Sequence, residues 1–297
     1  MTLSTGRQAA LLDAAPVWLR RLALAFRRLY QRPVWALGTS ITLLFLILAA
    51  IGPLLAPYGE NDMVAADARQ PPSAAHWFGT DNLGRDVFSR VILGAREILA
   101  LSGLGTFFAV LAGVGIGLLS GYRGGWLDEI IMRFFDSLLA LPALLLALLL
   151  LGALGRSGSS VLVVIVVVYT PIVARVVRSV VLSVKSKEFV EAARLQGESL
   201  ARILFAEILP SVLPALAVEA ALRFSYAIFL VASLGFLGVG VQPPSPNWGL
   251  MVKEARDFVN QVPWALYFPA GAISILIVGV NLMADGLKHV LQAPVSE

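Results

Sequence analysis

Long uninterrupted apolar runs constrain this chain more than any other feature of its sequence. Each is close to the roughly 20 residues that a helix needs to cross the hydrocarbon core of a bilayer. Strands of a membrane barrel would instead alternate in polarity over about 10 residues. The sequence therefore predicts an all-α membrane protein with about six transmembrane helices, near 35–56, 98–120, 137–154, 159–180, 212–238 and 265–287.

Composition agrees with a membrane protein. Hydrophobic residues make up 58% of the chain and charged residues 14%, whereas a soluble domain carries about 25% charged residues. The chain has no cysteine, which excludes disulfides and thiolate chemistry. Because topology accounts for the net charge of +4, we expect membrane lipid, and no nucleic acid, to contact the chain.

The distribution of Lys and Arg predicts the topology. With the N-terminus inside, the cytosolic pieces hold 15 Lys and Arg and the outer pieces hold 7. Cytosolic loops are enriched in these residues, so we expect both termini to be cytosolic. The cytosolic pieces are then 1–34, 121–136, 175–210 and 288–297, and the outer pieces are 57–97, 155–158 and 239–264.

This topology divides the chain into four parts. Residues 1–34 form a cytosolic N-terminal segment, in which 17–30 predicts either an amphipathic helix on the inner leaflet or a basic flank. Residues 35–97 hold the first transmembrane helix and an outer segment. Residues 98–290 form the core transmembrane domain, and 291–297 form a C-terminal tail.

A polar insert at 186–210 separates two of the apolar runs, and we call it the coupling insert. Ser186 is predicted to cap a helix through 187–196, and Gly197 suits the left-handed position that ends it. Ser199 can cap a second helix through 200–209, which Pro210 helps to end. A minimal connector would need only about 2–8 residues, so the insert predicts a docking site for a cytosolic protein.

Two further patterns lie inside the predicted spans. Small residues repeat every four positions, which favours close helix packing over pore lining. Glu219 and Arg223 stand at i,i+4 within the fifth span, where they can neutralise each other or contact a solute or gate. The small residues are Gly105, Ala109, Gly113, Gly117 and Gly121.

Four charged residues lie in the outer segment: Asp81, Arg85, Asp86 and Arg90. They can pack across the outer mouth or dock a binding protein. The two aspartates lack the nucleophile or histidine that a catalytic site requires. His76 and His289, the only histidines, fall on opposite sides of the membrane, so no metal site and no catalytic residue is predicted.

The coupling insert resembles the cytoplasmic loop of the inner-membrane permeases of binding-protein-dependent ABC importers. That loop reads Glu-Ala-Ala, three residues, Gly, nine residues, a hydrophobic position, one residue, then Leu-Pro. Glu207 occupies the hydrophobic position and departs from the pattern. The residues that match are Glu191, Ala192, Ala193, Gly197, Leu209 and Pro210.

Other segments are similar to the C-type permease subunit of the dipeptide, oligopeptide and nickel importers. The resemblance covers about residues 20–290, and its motifs occur in the order of the family. They are 76–90, 121–126, Met132-Arg133 with Asp136, 237–244, 247–249, Asn281-Leu282 and Asp285-Gly286.

The resemblance implies a type I ABC importer permease fold in the bacterial inner membrane. It also implies a homologous second permease, two ATPases that bind ATP and magnesium, and an extracytoplasmic binding protein. The six matching insert residues would couple the permease to the ATPases. The chain itself lacks the phosphate-binding G-x-x-x-x-G-K-[ST] loop, so we expect a non-catalytic subunit that needs no cofactor of its own.

Peptides of the di- and oligopeptide class are the substrate that this resemblance favours. Nickel or another small solute is the alternative within the family. Outside it, a self-sufficient secondary transporter and an intramembrane enzyme are the rival classes. The sequence offers neither of them a chain of buried carboxylates or a catalytic constellation.

Overall fold

Helices make up nearly all the regular structure of the computed structural model, which describes residue 30 and residues 32–292. The predicted amphipathic helix at 17–30, apart from residue 30, and the end of the tail, 293–297, lie outside the described residues. The helices are α1 (Pro33–Leu55), α2 (Val87–Arg123), α3 (Gly125–Leu139), α4 (Ala143–Leu154), α5 (Gly158–Val184), α6 (Glu188–Leu195), α7 (Leu200–Phe236), α8 (Trp248–Arg256) and α9 (Pro263–Gln292).

Five of the described helices are long and apolar enough to cross a membrane, namely α1, α2, α5, α7 and α9. A sixth span results if α3 and α4 together count as one. The prediction of an all-α membrane protein with about six spans is confirmed.

The predicted span at 137–154 is wrong as a single straight helix. The chain there forms α3 and α4, whose axes differ by 94°. Pro142 explains the break, because it lies at the N-cap of α4 and disfavours helical geometry at Leu141. Pro171, Pro214 and Pro269 remain inside continuous helices.

Two other helices extend beyond their predicted bounds. Helix α2 begins at Val87, inside the predicted outer segment, because Asp86 caps it through a hydrogen bond from the Ser89 amide. Helix α7 runs from Leu200 to Phe236. The predicted second insert helix, 200–209, is therefore the first part of a span, and Pro210 does not end it.

The largest helix contact joins α2 to α5, and small residues make it possible. A Cβ added at Gly113 would lie 2.6 Å from the Val173 Cβ, and one at Gly117 would lie 2.6 Å from the Ala174 carbonyl oxygen. All five small residues of the predicted ridge are buried. The ridge is a packing surface, which confirms the prediction of close helix packing rather than pore lining.

Candidate coupling site

Helix α6 forms the first half of the coupling insert. Its N-cap is Lys187, without a side-chain hydrogen bond, so the predicted cap at Ser186 is wrong. Glu188 and Glu191 lie in the first turn, where the positive end of the helix dipole stabilises negative charge. These charges compensate in part for the missing cap.

Gly197 ends α6 in the predicted manner. Its φ is +73°, in the left-handed region that favours glycine. The Gly197 amide donates to the Arg194 carbonyl at 3.0 Å, and the Glu198 amide donates to the Ala193 carbonyl at 3.1 Å. This is the Schellman pattern of a helix C-terminus, and it turns the chain sharply towards α7.

One face of α6 packs on the permease and the opposite face is exposed. Val190 and Ala193 are buried in a cluster that includes Val181 and Ile208. Leu195 is 86% exposed. Phe189, Glu191 and Ala192 are exposed as well. The helix is thus fixed to the bundle and presents apolar and acidic side chains outward.

The second half of the insert begins with a confirmed cap, since the Ser199 hydroxyl accepts a hydrogen bond from the Arg202 amide at 3.3 Å. A π-helical turn, Ile203–Ile208, follows and contains Glu207. The Leu209 amide donates to the Leu204 carbonyl, five residues earlier. Pro210 lacks an amide proton and cannot donate a hydrogen bond to the preceding turn. The change to π-helical spacing there therefore loses few backbone hydrogen bonds.

Helix α6 is tied to the end of α2 by two contacts. Arg194 Nε donates to the Tyr122 hydroxyl at 2.9 Å, and its guanidinium carbon lies 4.7 Å from the centre of the tyrosine ring. Lys185 Nζ donates to the Gly121 carbonyl at 2.9 Å. Neither Arg194 nor Lys185 belongs to the Glu-Ala-Ala motif, although Arg194 follows Ala193 directly.

A second link joins α3 to α5 near the same end of the bundle. The Arg178 guanidinium donates to both carboxylate oxygens of Asp128, at 2.6 Å each. Arg175 pairs with Asp136 on the same two helices. Together these pairs fix α3 to α5, on the N-terminal side of the bend at Pro142.

Glu219 and Arg223 pair within α7, as the spacing predicted. Arg223 Nε lies 2.8 Å from Glu219 Oε1, and both side chains are largely buried. The two atoms are close but not aligned for a hydrogen bond, and neither has another partner among the described residues. The Arg223 guanidinium carbon also lies 4.8 Å from the centre of the Tyr226 ring.

The end of the bundle opposite α6 holds Arg85 in a buried charge network. Arg85 Nε is 2.5 Å from Asp81 Oδ2, and its Nη2 is 2.6 Å from Glu254 Oε2 in α8. Burial opposes the charge of Arg85, but the two carboxylates outweigh it and raise the pKa of the guanidinium. Asp81 also accepts hydrogen bonds from the Leu83 and Arg85 amides.

Asp86 and Arg90 are equally enclosed. Asp86 Oδ1 is 2.9 Å from His76 Nδ1, so the expectation that no histidine accompanies the two aspartates is wrong, while the other Asp86 oxygen caps α2. Arg90 is 1% exposed and donates to the carbonyl oxygens of Glu60 and Ser245. The four charged residues of the outer segment therefore join that segment to α2, α8 and the loop before α8.

Asn247 and Trp248, whose role the sequence left open, belong to the core at this end. The Asn247 side chain caps α8 by accepting from the Gly249 and Leu250 amides. Trp248 is fully buried and donates from Nε1 to the Val91 carbonyl at 2.8 Å. Within residues 30 and 32–292, no group of three or more His, Cys, Asp or Glu residues could hold a metal ion.

The chain belongs to the family described as binding-protein-dependent transport system inner membrane component, which matches residues 113–296. It is a permease of the binding-protein-dependent ABC importers and a multi-pass protein of the inner membrane. A second family, described as the N-terminal transmembrane domain of oligopeptide transport permease C, matches residues 21–72.

Several curated proteins resemble the chain over most of its length. The dipeptide transport system permease protein DppC of Alkalihalophilus pseudofirmus is 40% identical over 90% of this chain and 88% of its own length. The oligopeptide transport system permease protein OppC of Bacillus subtilis is 36% identical, over 94% and 92%. The glutathione transport system permease protein GsiD of Escherichia coli O157:H7 is 38% identical, over 98% of each chain.

The fold also resembles a solved structure, the MetNI methionine ABC transporter in an inward-facing conformation. The TM-score is 0.56 at 18% identity, over 69% of this chain and 97% of the other. At this identity the likeness concerns the fold alone, and it agrees with the type I importer permease fold that the sequence predicted.

Proposed function

We propose that this permease moves peptides of the di- and oligopeptide class and is driven by separate ATPases that grip the coupling insert. The similar permeases of dipeptide, oligopeptide and glutathione systems support the substrate class. Nickel or another small solute is the alternative within the family. A second permease, two ATPases and an extracytoplasmic binding protein complete the proposed transporter.

The observation that carries the proposal is that one face of α6 is buried against the bundle and the opposite face is exposed. Val190 and Ala193 anchor the helix on the bundle, so a force applied to α6 reaches α5 and α7 directly. Leu195, Phe189 and Ala192 form an exposed surface that a groove in another protein can enclose. An exposed apolar surface rimmed by charge is typical of protein interaction sites.

In this mechanism, ATP binds and is hydrolysed in the partner ATPases together with magnesium, and this chain is a non-catalytic subunit. Closure of the ATPase pair moves the coupling insert, where Glu191, Ala192 and Gly197 form the contact, Ala193 anchors α6 on the bundle, and Leu209 and Pro210 carry the motion along α7. Glu219 and Arg223 are proposed to lie near the pathway or its gate, because their buried polar atoms have unused hydrogen-bonding capacity.

Asp81, Arg85, Asp86 and Arg90 are proposed to shape the surface that receives the binding protein.

Truncation of Leu195 tests the coupling role. We expect Leu195→Ala to weaken ATPase association by about tenfold or more, since central interface anchors contribute about 2 kcal/mol or more when truncated. Leu54→Ala is the matched control, because Leu54 is also 86% exposed but lies at the other end of the bundle. The measurements are ATPase co-purification and solute-stimulated ATP hydrolysis in the reconstituted complex. Equal behaviour of the two variants would remove α6 as the contact.

A further inference from the structure

A pocket of mixed charge opens at the end of the bundle opposite α6. It has a volume of about 310 Å³, within the range of small-molecule sites. Its polar lining consists of Glu60, Arg96 and Glu97, beside apolar residues that include Leu93 and Pro246. We call it the mixed-charge pocket. The end of α1, the first turns of α2 and the loop before α8 enclose it.

Only one of the two carboxylate oxygens of Glu97 accepts an aligned hydrogen bond in the described structure. Its Oε2 accepts a hydrogen bond from the Ser245 hydroxyl. Its Oε1 is buried and has no hydrogen-bond partner in the described part of the chain. Burial of an unpaired carboxylate oxygen is costly, so this atom is suited to receive a donor from a ligand.

Among the buried neighbours of Glu97, Asn247 comes nearest to supplying that donor, since its side chain interacts with the Glu97 carboxylate. Asn247 is 1% exposed and uses its oxygen to cap α8, and neither its Nδ2 nor Glu97 Oε1 has an aligned hydrogen-bond partner in the region described. Arg90 lies two helical turns before Glu97 on α2. Its terminal nitrogens donate to the Glu60 and Ser245 carbonyls. The framework around Glu97 is therefore fixed by other bonds.

Arg96 provides the opposite charge. Its side chain is exposed and forms no ion pair or hydrogen bond with any other described residue. Adjacent helix positions point about 100° apart, so Arg96 and Glu97 approach the cavity from different sides. The Glu60 carboxylate adds a second negative group to the lining, and its charge also interacts with that of Arg90.

We propose that the mixed-charge pocket binds a small zwitterion, with its primary ammonium at Glu97 Oε1 and Glu60 and its anionic group at Arg96. One cation and two carboxylates around a single cavity match a ligand that carries both charges. A short peptide with free termini has this chemistry, and so does the headgroup of phosphatidylethanolamine. The peptide source rests on the proposed function and gives the permease its own contact with both ends of the solute.

The test measures dialanine binding to the complete transporter, without binding protein, in nanodiscs of phosphatidylglycerol, by saturation-transfer NMR. Wild type should bind dialanine about tenfold more tightly than N-acetyl-dialanine or dialanine amide, since each change removes one charge-assisted contact. Glu97→Gln should abolish only the preference for the free ammonium. Arg96→Gln should abolish only the preference for the free carboxylate.

Matched controls are Asp257→Asn and Arg256→Gln, which remove an exposed ion pair on the loop that follows α8. Both should keep the two preferences of wild type. A second set of nanodiscs contains phosphatidylethanolamine. If the lipid headgroup is the occupant, this lipid will displace dialanine and co-purify with wild type but not with Glu97→Gln or Arg96→Gln.

The inference is overturned if wild type shows neither preference and phosphatidylethanolamine co-purifies equally with all variants. Its failure differs from failure of the proposed function. A transporter that takes up peptides with ATP and binding protein, yet shows neither a charge preference nor selective retention of phosphatidylethanolamine in nanodiscs, would contradict only the pocket. A transporter that moves no peptide at all would contradict only the proposed substrate.

Discussion

Arg85 shows how much a single buried charge depends on its partners. It bridges Asp81 of the outer segment and Glu254 of α8. We expect Arg85→Gln to lower the free energy of unfolding by about 3 kcal/mol, because it leaves Asp81 without a counter-charge and Glu254 with only Arg90, whose Nη2 is 3.8 Å away. Thermal unfolding of the purified protein in detergent measures the change.

The control for this experiment is Arg256→Gln. Arg256 and Asp257 form an exposed pair, and such pairs contribute only about 0–1 kcal/mol. A similar loss of stability in both variants would mean that the Arg85 network adds no more than a surface ion pair. Arg85→Lys should restore the charge but not both contacts, since lysine lacks the planar fork of arginine.

At the scale of elements, the contact of α2 with α5 depends on the absence of side chains along one ridge. Gly113→Ala should destabilise the protein by about 1–3 kcal/mol, because the new methyl group would overlap Val173. Gly115 lies on the same helix, and nothing described stands within 4 Å of a Cβ added there. Gly115→Ala should therefore be neutral or slightly stabilising in the same unfolding measurement.

The link between α6 and α2 gives a second prediction. Tyr122→Phe removes the hydroxyl that accepts from Arg194 but keeps the ring on which the guanidinium stacks. We expect a partial loss of solute-stimulated ATP hydrolysis, smaller than that of Tyr122→Ala, with ATPase association unchanged. Equal loss in both variants would show that the hydroxyl alone makes the connection, and no loss in Tyr122→Phe would show that the ring alone makes it.

Patterns confined to one helix were predictable from the sequence, whereas contacts between distant segments were not. The glycine ridge of α2, the end of α6 at Gly197 and the cap at Ser199 follow from local spacing and residue type. Arg85 and Glu254 are 169 residues apart, and no periodicity brings them together.

The errors also have a local cause. The predicted spans follow from apolar content alone. Apolar content cannot distinguish a straight helix from two helices joined at Pro142. Apolar content also does not show that α7 continues through Pro210. The helix tolerates this proline because it lies in the first turn of the α-helical segment after the π-helical turn, where its missing amide proton costs no hydrogen bond.

For the whole molecule, the orientation in the membrane remains a prediction, and the absence of cysteine makes it easy to test. A single cysteine at Gln196 should react with a membrane-impermeant maleimide only in opened cells. One at Asp257 should react in intact cells. Both positions are exposed. Labelling of Gln196→Cys from outside would place the coupling insert on the wrong side for an ATPase.

The continuity of α7 has a mechanical consequence. Its 37 residues span about 55 Å at 1.5 Å per residue, so one rod begins in the coupling insert and ends beside the loop that closes the mixed-charge pocket. The wide turn at Ile203–Ile208 and the buried pair at Glu219 and Arg223 lie along its length. Under the proposed coupling, we expect this rod to act as a lever, so that a small tilt near Ser199 becomes a larger displacement at Phe236.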